Sequence, residues 1–189
     1  MRKLLATAAL IPTLVVASPP PDSIVDLFAG TCMKHFYSQD GLRKAMSDAG
    51  APEASPEKAE FFLGGNPGKA WFVIGPSTAY VVALREDTVC AVFAERANAD
   101  QAHAGFAALA RTAPDPLVAA VQDADEVGTN DSHTRTAAYS WSRPEDKDEL
   151  FFVLTTSDSP DATAQAMASV SLVGKANNTL KAMPLRGTP

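Results

Sequence analysis

The chain holds two cysteines, Cys32 and Cys90, and they lie in stretches of different periodicity. Around Cys32 the apolar residues Ile24, Leu27, Phe28, Cys32 and Phe36 recur at three-to-four spacing, as on one buried face of a helix. Around Cys90 the run 89–95 (VCAVFAE) is short, apolar and bounded by polar residues, which reads as a strand. Joining the two thiols pins a helix to a sheet, so any fold in which they are bonded must stack those two elements.

The start of the chain makes that bond the expected one. Met1-Arg2-Lys3 is followed by fourteen uncharged, mainly apolar residues (LLATAALIPTLVVA) and then by Ser18-Pro19-Pro20-Pro21-Asp22. A basic start, a short apolar core and a small-residue end describe a secretory signal peptide over residues 1–17, with Val15 and Ala17 as the small residues before the cut. The apolar run is shorter than the roughly 20 residues a membrane-crossing helix needs, and three prolines would break a continuing helix. The expected home is periplasmic or secreted, where paired cysteines oxidise. A Cys32–Cys90 bridge closes a loop of about 58 residues, worth roughly 4 kcal/mol in the chain-entropy treatment. A nucleophilic Cys32 aided by His35, three residues on, is the weaker alternative, because a free thiol beside a second cysteine does not last in such a space.

Loss of residues 1–17 removes Arg2 and Lys3 and takes the formal charge from −6 to about −8. An acidic domain lacks the basic footprint that nucleic acid or an anionic membrane surface requires. The remaining length suits a single domain over 18–173, not membrane-spanning, with a polar tail over 174–189.

Residues 22–50 read as two helices, with Asp22 as N-cap, a break at Gly41 or Gln39-Asp40, and Gly50 as the stop. Residues 51–68 read as loop. Strand signals follow at 70–74, 79–85 and 89–95, with breaks short enough for antiparallel hairpins, then a helix at 99–110. The second half repeats the plan: strands at 134–141 and 150–155, then a helix at 161–169 introduced by Asp158-Ser159-Pro160. Residues 90–100 match 151–161 in pattern at an offset of 61, which suggests two similar β-β-β-α halves, 51–112 and 113–173. The expected class is α+β: an antiparallel sheet packed by helices on one face, stapled by one disulfide.

No motif names a reaction. Residues 64–70 (GGNPGKA) miss the phosphate-loop spacing and lack its hydroxyl, so they read as a turn. Asp123, Asp125, Glu126, Asn130 and Asp131 resemble a calcium loop but put Val127 and Thr134 where ligands belong, so a solvated acidic loop is the better account. His35, His103 and His133 have no zinc-ligand spacing. Asn177-Asn178-Thr179 is an N-glycosylation triplet that a bacterial chain leaves unused. Trp71 and Trp141 are expected in the core, with an exposed ligand platform as the alternative. No catalytic residue, cofactor or metal is therefore assigned, and Cys32 and Cys90 are the assigned pair.

The leader, the segment FAGTCMKHF and the segment YVVALREDTVCAVFAE together resemble a loose family of small exported proteobacterial proteins. Its members share a signal peptide, an early F-x3-C helix motif and a second cysteine in a strand after a polar turn, here Phe28, Cys32 and Cys90. The resemblance covers roughly residues 24–110. It implies a periplasmic protein with one disulfide and supplies no activity.

The leading expectation is a non-enzymatic binding protein, one version being an inhibitor or immunity protein that blocks a secreted toxin or hydrolase. Its acidic surface would steer it to a basic partner, through the 123–133 loop or the 143–149 turn. A structural or accessory envelope component would instead show an exposed apolar patch or strand edge. A cell-envelope hydrolase would show a cleft with several perturbed titratable groups. A homodimer fits either non-enzymatic class, since an open sheet edge invites pairing.

Overall fold

The computed structural model describes residues 23–129 and 132–175, and of residues 123–129 and 132–133 the backbone alone. The leader, Asp22, the Asn177-Asn178-Thr179 triplet and nearly all of the tail lie outside these residues.

The first helix, α1 (Ile24–Phe28), is capped by Ser23, whose hydroxyl accepts from the Asp26 N–H and donates to the Asp26 carboxylate. It widens directly into a π-helical turn, Ala29–Met33, in which the Thr31 hydroxyl donates to the Leu27 carbonyl at 2.5 Å. The break before α2 (Gln39–Asp48) falls at residues 34–38, not at Gly41. Ser38 is the cap there, accepting from the Gly41 N–H, so Gln39, Asp40 and Gly41 form the first turn instead of interrupting one.

The 51–68 segment expected as loop contains a helix, α3 (Pro56–Leu63). Pro56 opens it, where a missing N–H costs nothing, and Gly64 closes it in the left-handed region at φ 61°. Three strands follow, β1 (Gly68–Ile74), β2 (Ala79–Arg85) and β3 (Cys90–Ala94), then α4 (Ala99–Ala110), capped by the Asn98 side chain on the Gln101 N–H.

The second half is all strand: β4 (Val118–Thr129), β5 (Ser132–Ser142), β6 (Asp148–Ser157) and β7 (Ala166–Gly174). The helix expected at 161–169 is absent; residues 166–174 alternate across the pleat and pair with both β3 and β6. The halves are thus α-β-β-β-α and β-β-β-β. Ala166 and Ala168 are fully buried under α1, and side chains this small allow a helix to lie close on the strand.

All seven strands form one antiparallel sheet in the order β1-β2-β3-β7-β6-β5-β4. The β1–β3 meander builds one side. Helix α4 carries the chain over β6 and β5 to the far edge, and β4 to β7 return to meet β3 in the middle. The α+β architecture is the expected one, and the Cys32–Cys90 disulfide is formed, with Cα atoms 5.4 Å apart and both cysteines buried.

Helices occupy both faces of the sheet. Ile24, Leu27 and Phe28 of α1, Leu42 and Met46 of α2, and Phe106 of α4 close over Val82, Leu84, Val92, Phe152 and Leu154. Phe106 is the hinge of this layer, its ring 5.8 Å from Phe28 and 6.0 Å from Tyr139. On the other face Ala59 and Leu63 of α3 cover Ala70, Val81, Ala83, Ala91 and Phe93. Strands covered on both faces read as continuous apolar runs, which is why β2 and β3 are strong strand signals without alternation.

Candidate functional site

The two acidic regions singled out in the sequence are at opposite ends of β5. The described part of the 123–133 segment is strand: residues 123–129 continue β4, paired from Asp123 opposite Ala138 to Thr129 opposite Ser132. A calcium-type loop would have to coil around its ion, whereas an extended ladder holds successive residues apart along a line. The Arg143 turn joins the other end of β5 to β6, roughly 17 Å along the strand from the Asp123–Ala138 pair at about 3.4 Å per residue. That turn is braced by the Arg143 N–H donating to the Asp146 carboxylate and by Lys175 donating to the Arg143 carbonyl. Glu149, expected on the turn, is buried in β6.

The other singled-out residues have structural places. Gly64 to Pro67 make the α3–β1 turn, and Lys69 forms an ion pair with Glu53 at 2.9 Å. Trp71 and Trp141 are both buried, the Trp141 indole N–H donating at 2.5 Å to the Ala110 carbonyl at the end of α4. His35 lies in the turn after the π-helical segment, and its backbone N–H donates to Thr31. The side chain of His133 lies outside the described residues. Among the described residues no three His, Cys, Asp or Glu side chains converge as a metal site.

His103 carries an electrostatic signature. Its Nε2 lies 3.1 Å from the buried Thr156 hydroxyl, between α4 and β6. Burial pushes its pKa below the usual 6.5, and the nearby Arg135 guanidinium pushes the same way, opposed by Asp100. Asp100 and Arg135 are themselves paired at 2.6 Å. The group fastens α4 to the sheet and borders none of the clefts described next.

A cleft of about 700 Å³ opens between α1, the start of α4 and the ends of β2 and β3. Its charged side chains, Asp26 and Arg96, are engaged locally: Asp26 with Ser23, and Arg96 with the carbonyls of Glu95 and Ala162. A second, apolar groove of about 520 Å³ on the opposite face is lined by Phe62, Phe72 and Phe93. In the first the Ser23 hydroxyl donates to the Asp26 carboxylate at 2.7 Å, but the pair is exposed and the same hydroxyl is the N-cap of α1, accepting from the Asp26 N–H, so its place is structural.

The two sheet edges are unlike each other. The β1 edge is closed: the Phe72 N–H donates to the Pro52 carbonyl at 2.9 Å, the Ala54 N–H to the Ala70 carbonyl at 2.8 Å, and Glu53 bridges Trp71. At the other edge, β4 pairs with β5 on one side, and among the described residues no strand lies on its other side. Val118 and Val121 on this strand are each 58 % exposed. A bulge between Val121 and Asp123 shifts the register, with Gln122 donating to the Ser140 hydroxyl at 2.7 Å. Residues 115–131 hold Asp115, Asp123, Asp125, Glu126 and Asp131 and not one lysine or arginine.

This edge strand is the feature that sequence reasoning missed. The signal that could have found it is the apolar run Leu117-Val118-Ala119-Ala120-Val121, which the acidic residues directly after it mask. Comparison of the chain with protein-family models, with curated proteins and with solved structures finds no match. Among the described residues no helix is long and apolar enough to cross a membrane. The formed disulfide fits an oxidising compartment.

Proposed function

We propose that this is a periplasmic, non-enzymatic binding protein that engages a basic protein partner, in the manner of an inhibitor or immunity protein acting on a secreted toxin or hydrolase. The observation that carries the reading is the long outer strand β4, twelve residues with its partner strand on one side; an open edge by itself equally suits an accessory envelope component, and the acidic residues 123, 125 and 126 along it are what favour a basic partner. An extended ladder of backbone groups matches another polypeptide better than a small molecule, which needs a concave pocket with convergent polar groups. The negative charge favours a cationic partner and speeds the encounter. The disulfide ties the π-helical segment to β3, and Phe106 packs between Phe28 of α1 and Tyr139 of β5, the strand that pairs with β4. The leader and the likeness to exported proteobacterial proteins support the compartment.

The test is capture from an envelope extract with the mature, oxidised protein, followed by titration of the purified partner. A basic protein binding one to one, with affinity falling as salt rises, is the expected result. A partner with no excess of lysine and arginine, salt-insensitive binding, or turnover of an envelope polymer by the purified protein would refute it.

A further inference from the structure

We infer that the outer edge of β4 takes an extended, lysine- or arginine-bearing segment of the partner as an eighth strand. This rests on the binding reading above and names its mode and chemistry. An edge strand presents alternate N–H and C=O groups outward, a template for any extended chain. Proteins usually blunt such edges, and here one edge is closed by residues 52–54 while the other is left with a bulge and carboxylates. Lysines would repel a cationic strand. Carboxylates do the reverse.

The same charges select among occupants. In a two-fold antiparallel pairing of β4 with a second copy centred on Ala124, near the middle of the strand, Asp123 of each copy would stand opposite Asp125 of the other, and like charges directly opposed destabilise a ladder. A second copy is therefore disfavoured. A strand bearing cations complements the acidic residues that the sequence puts in β4 at 123, 125 and 126, whose backbone pairs with β5 opposite Ala138, Thr136 and Arg135. The exposed Val118 and Val121 offer apolar contact at the other end of the same strand. Backbone pairing supplies affinity and the side chains supply choice, as in other strand-addition complexes.

The probe is an end-blocked ten-residue peptide alternating threonine and lysine, with one alternating threonine and glutamate as control, added to the mature oxidised protein. Amide hydrogen exchange is read residue by residue. The lysine peptide is expected to slow exchange at alternate amides within 118–129, and the glutamate peptide is not. Charge reversal by Asp123→Lys with Asp125→Lys is expected to weaken the lysine peptide about tenfold, as loss of two exposed ion pairs and gain of two repulsions implies. Asp123→Asn with Asp125→Asn, which leaves the strand's shape intact, is expected to give a smaller loss.

Protection outside 118–129, equal protection by both peptides, or none would overturn the inference. So would concentration-dependent dimerisation that protects β4 without peptide. An envelope partner that binds the charge-reversed protein as tightly as wild type would sink the edge and spare the binding reading. Peptide protection of β4 with no basic partner in the envelope would spare the edge and sink that reading.

Discussion

Breaking the disulfide should cost about 4 kcal/mol, and the cost should divide into two measurable parts. The bridge joins residues separated by 58 positions. For a loop of that size the lost denatured-state entropy is roughly 14 cal/mol/K, hence about 4 kcal/mol at 25 °C. Reduction of the wild-type protein removes the cross-link and keeps both sulfur atoms. The double variant Cys32→Ala with Cys90→Ala removes the cross-link and two buried sulfurs, which adds roughly 1 kcal/mol for each atom lost from a packed core. Urea unfolding of the three forms should therefore rank oxidised, reduced and alanine proteins in falling stability, with a steeper slope for the two lacking the bridge because their unfolded chains are more open. Amides of 24–36 should lose protection before those of β6, since the bridge ties only the first helical segment to β3. A loss below about 1 kcal/mol, or equal loss of protection in both regions, would refute the view that the bridge docks this helix on the sheet.

Two further perturbations test the packing. Gly68→Ala would place a Cβ 2.3 Å from the Leu84 carbonyl oxygen and 2.9 Å from the Arg85 Cα, both backbone, so β1 must shift away from β2. A loss of about 1–3 kcal/mol, read as a lower melting temperature, is expected, and an unchanged melting temperature would contradict that approach of the strands. His103 is held neutral by burial and by Arg135, so its pKa is lower folded than unfolded and the unfolded chain binds more protons. Its contribution is complete above pH 6.5 and is lost as pH falls toward the depressed value. The urea midpoint should fall between pH 7.5 and 5.5 in wild type and fall less in His103→Gln; a midpoint that rises on acidification would contradict it.

Legibility in the sequence followed burial. The bounds of β2 and α4 could be read directly, because β2 is apolar on both faces and α4 carries its apolar stripe between Asn98 and Arg111. The segment 161–169 reads as helix because its Ala, Gln and Met favour helix, while the slot between β3 and β6 imposes a strand from Ala166 on. Its alternation was visible in Ala166, Ala168, Val170 and Leu172 against the residues between them, but small side chains make a faint pattern. Helix α3 was hidden by Pro56 and its glutamates, although Ser55-Pro56 and Gly64 are start and stop signals. The acidic half of β4 was unreadable as strand because its ladder is stabilised by pairing with β5, which a local pattern does not contain. The disulfide was legible because two cysteines in a chain that reads as exported leave one pairing.

The central claim is that a basic polypeptide is held along β4. Its most direct test is hydrogen exchange on the complex of the mature, oxidised protein with the partner captured from the envelope. Slowed exchange at alternate amides of 118–129, reversed by high salt, is the expected result. Unchanged exchange along β4, with protection instead around the cleft between α1 and α4, would contradict it.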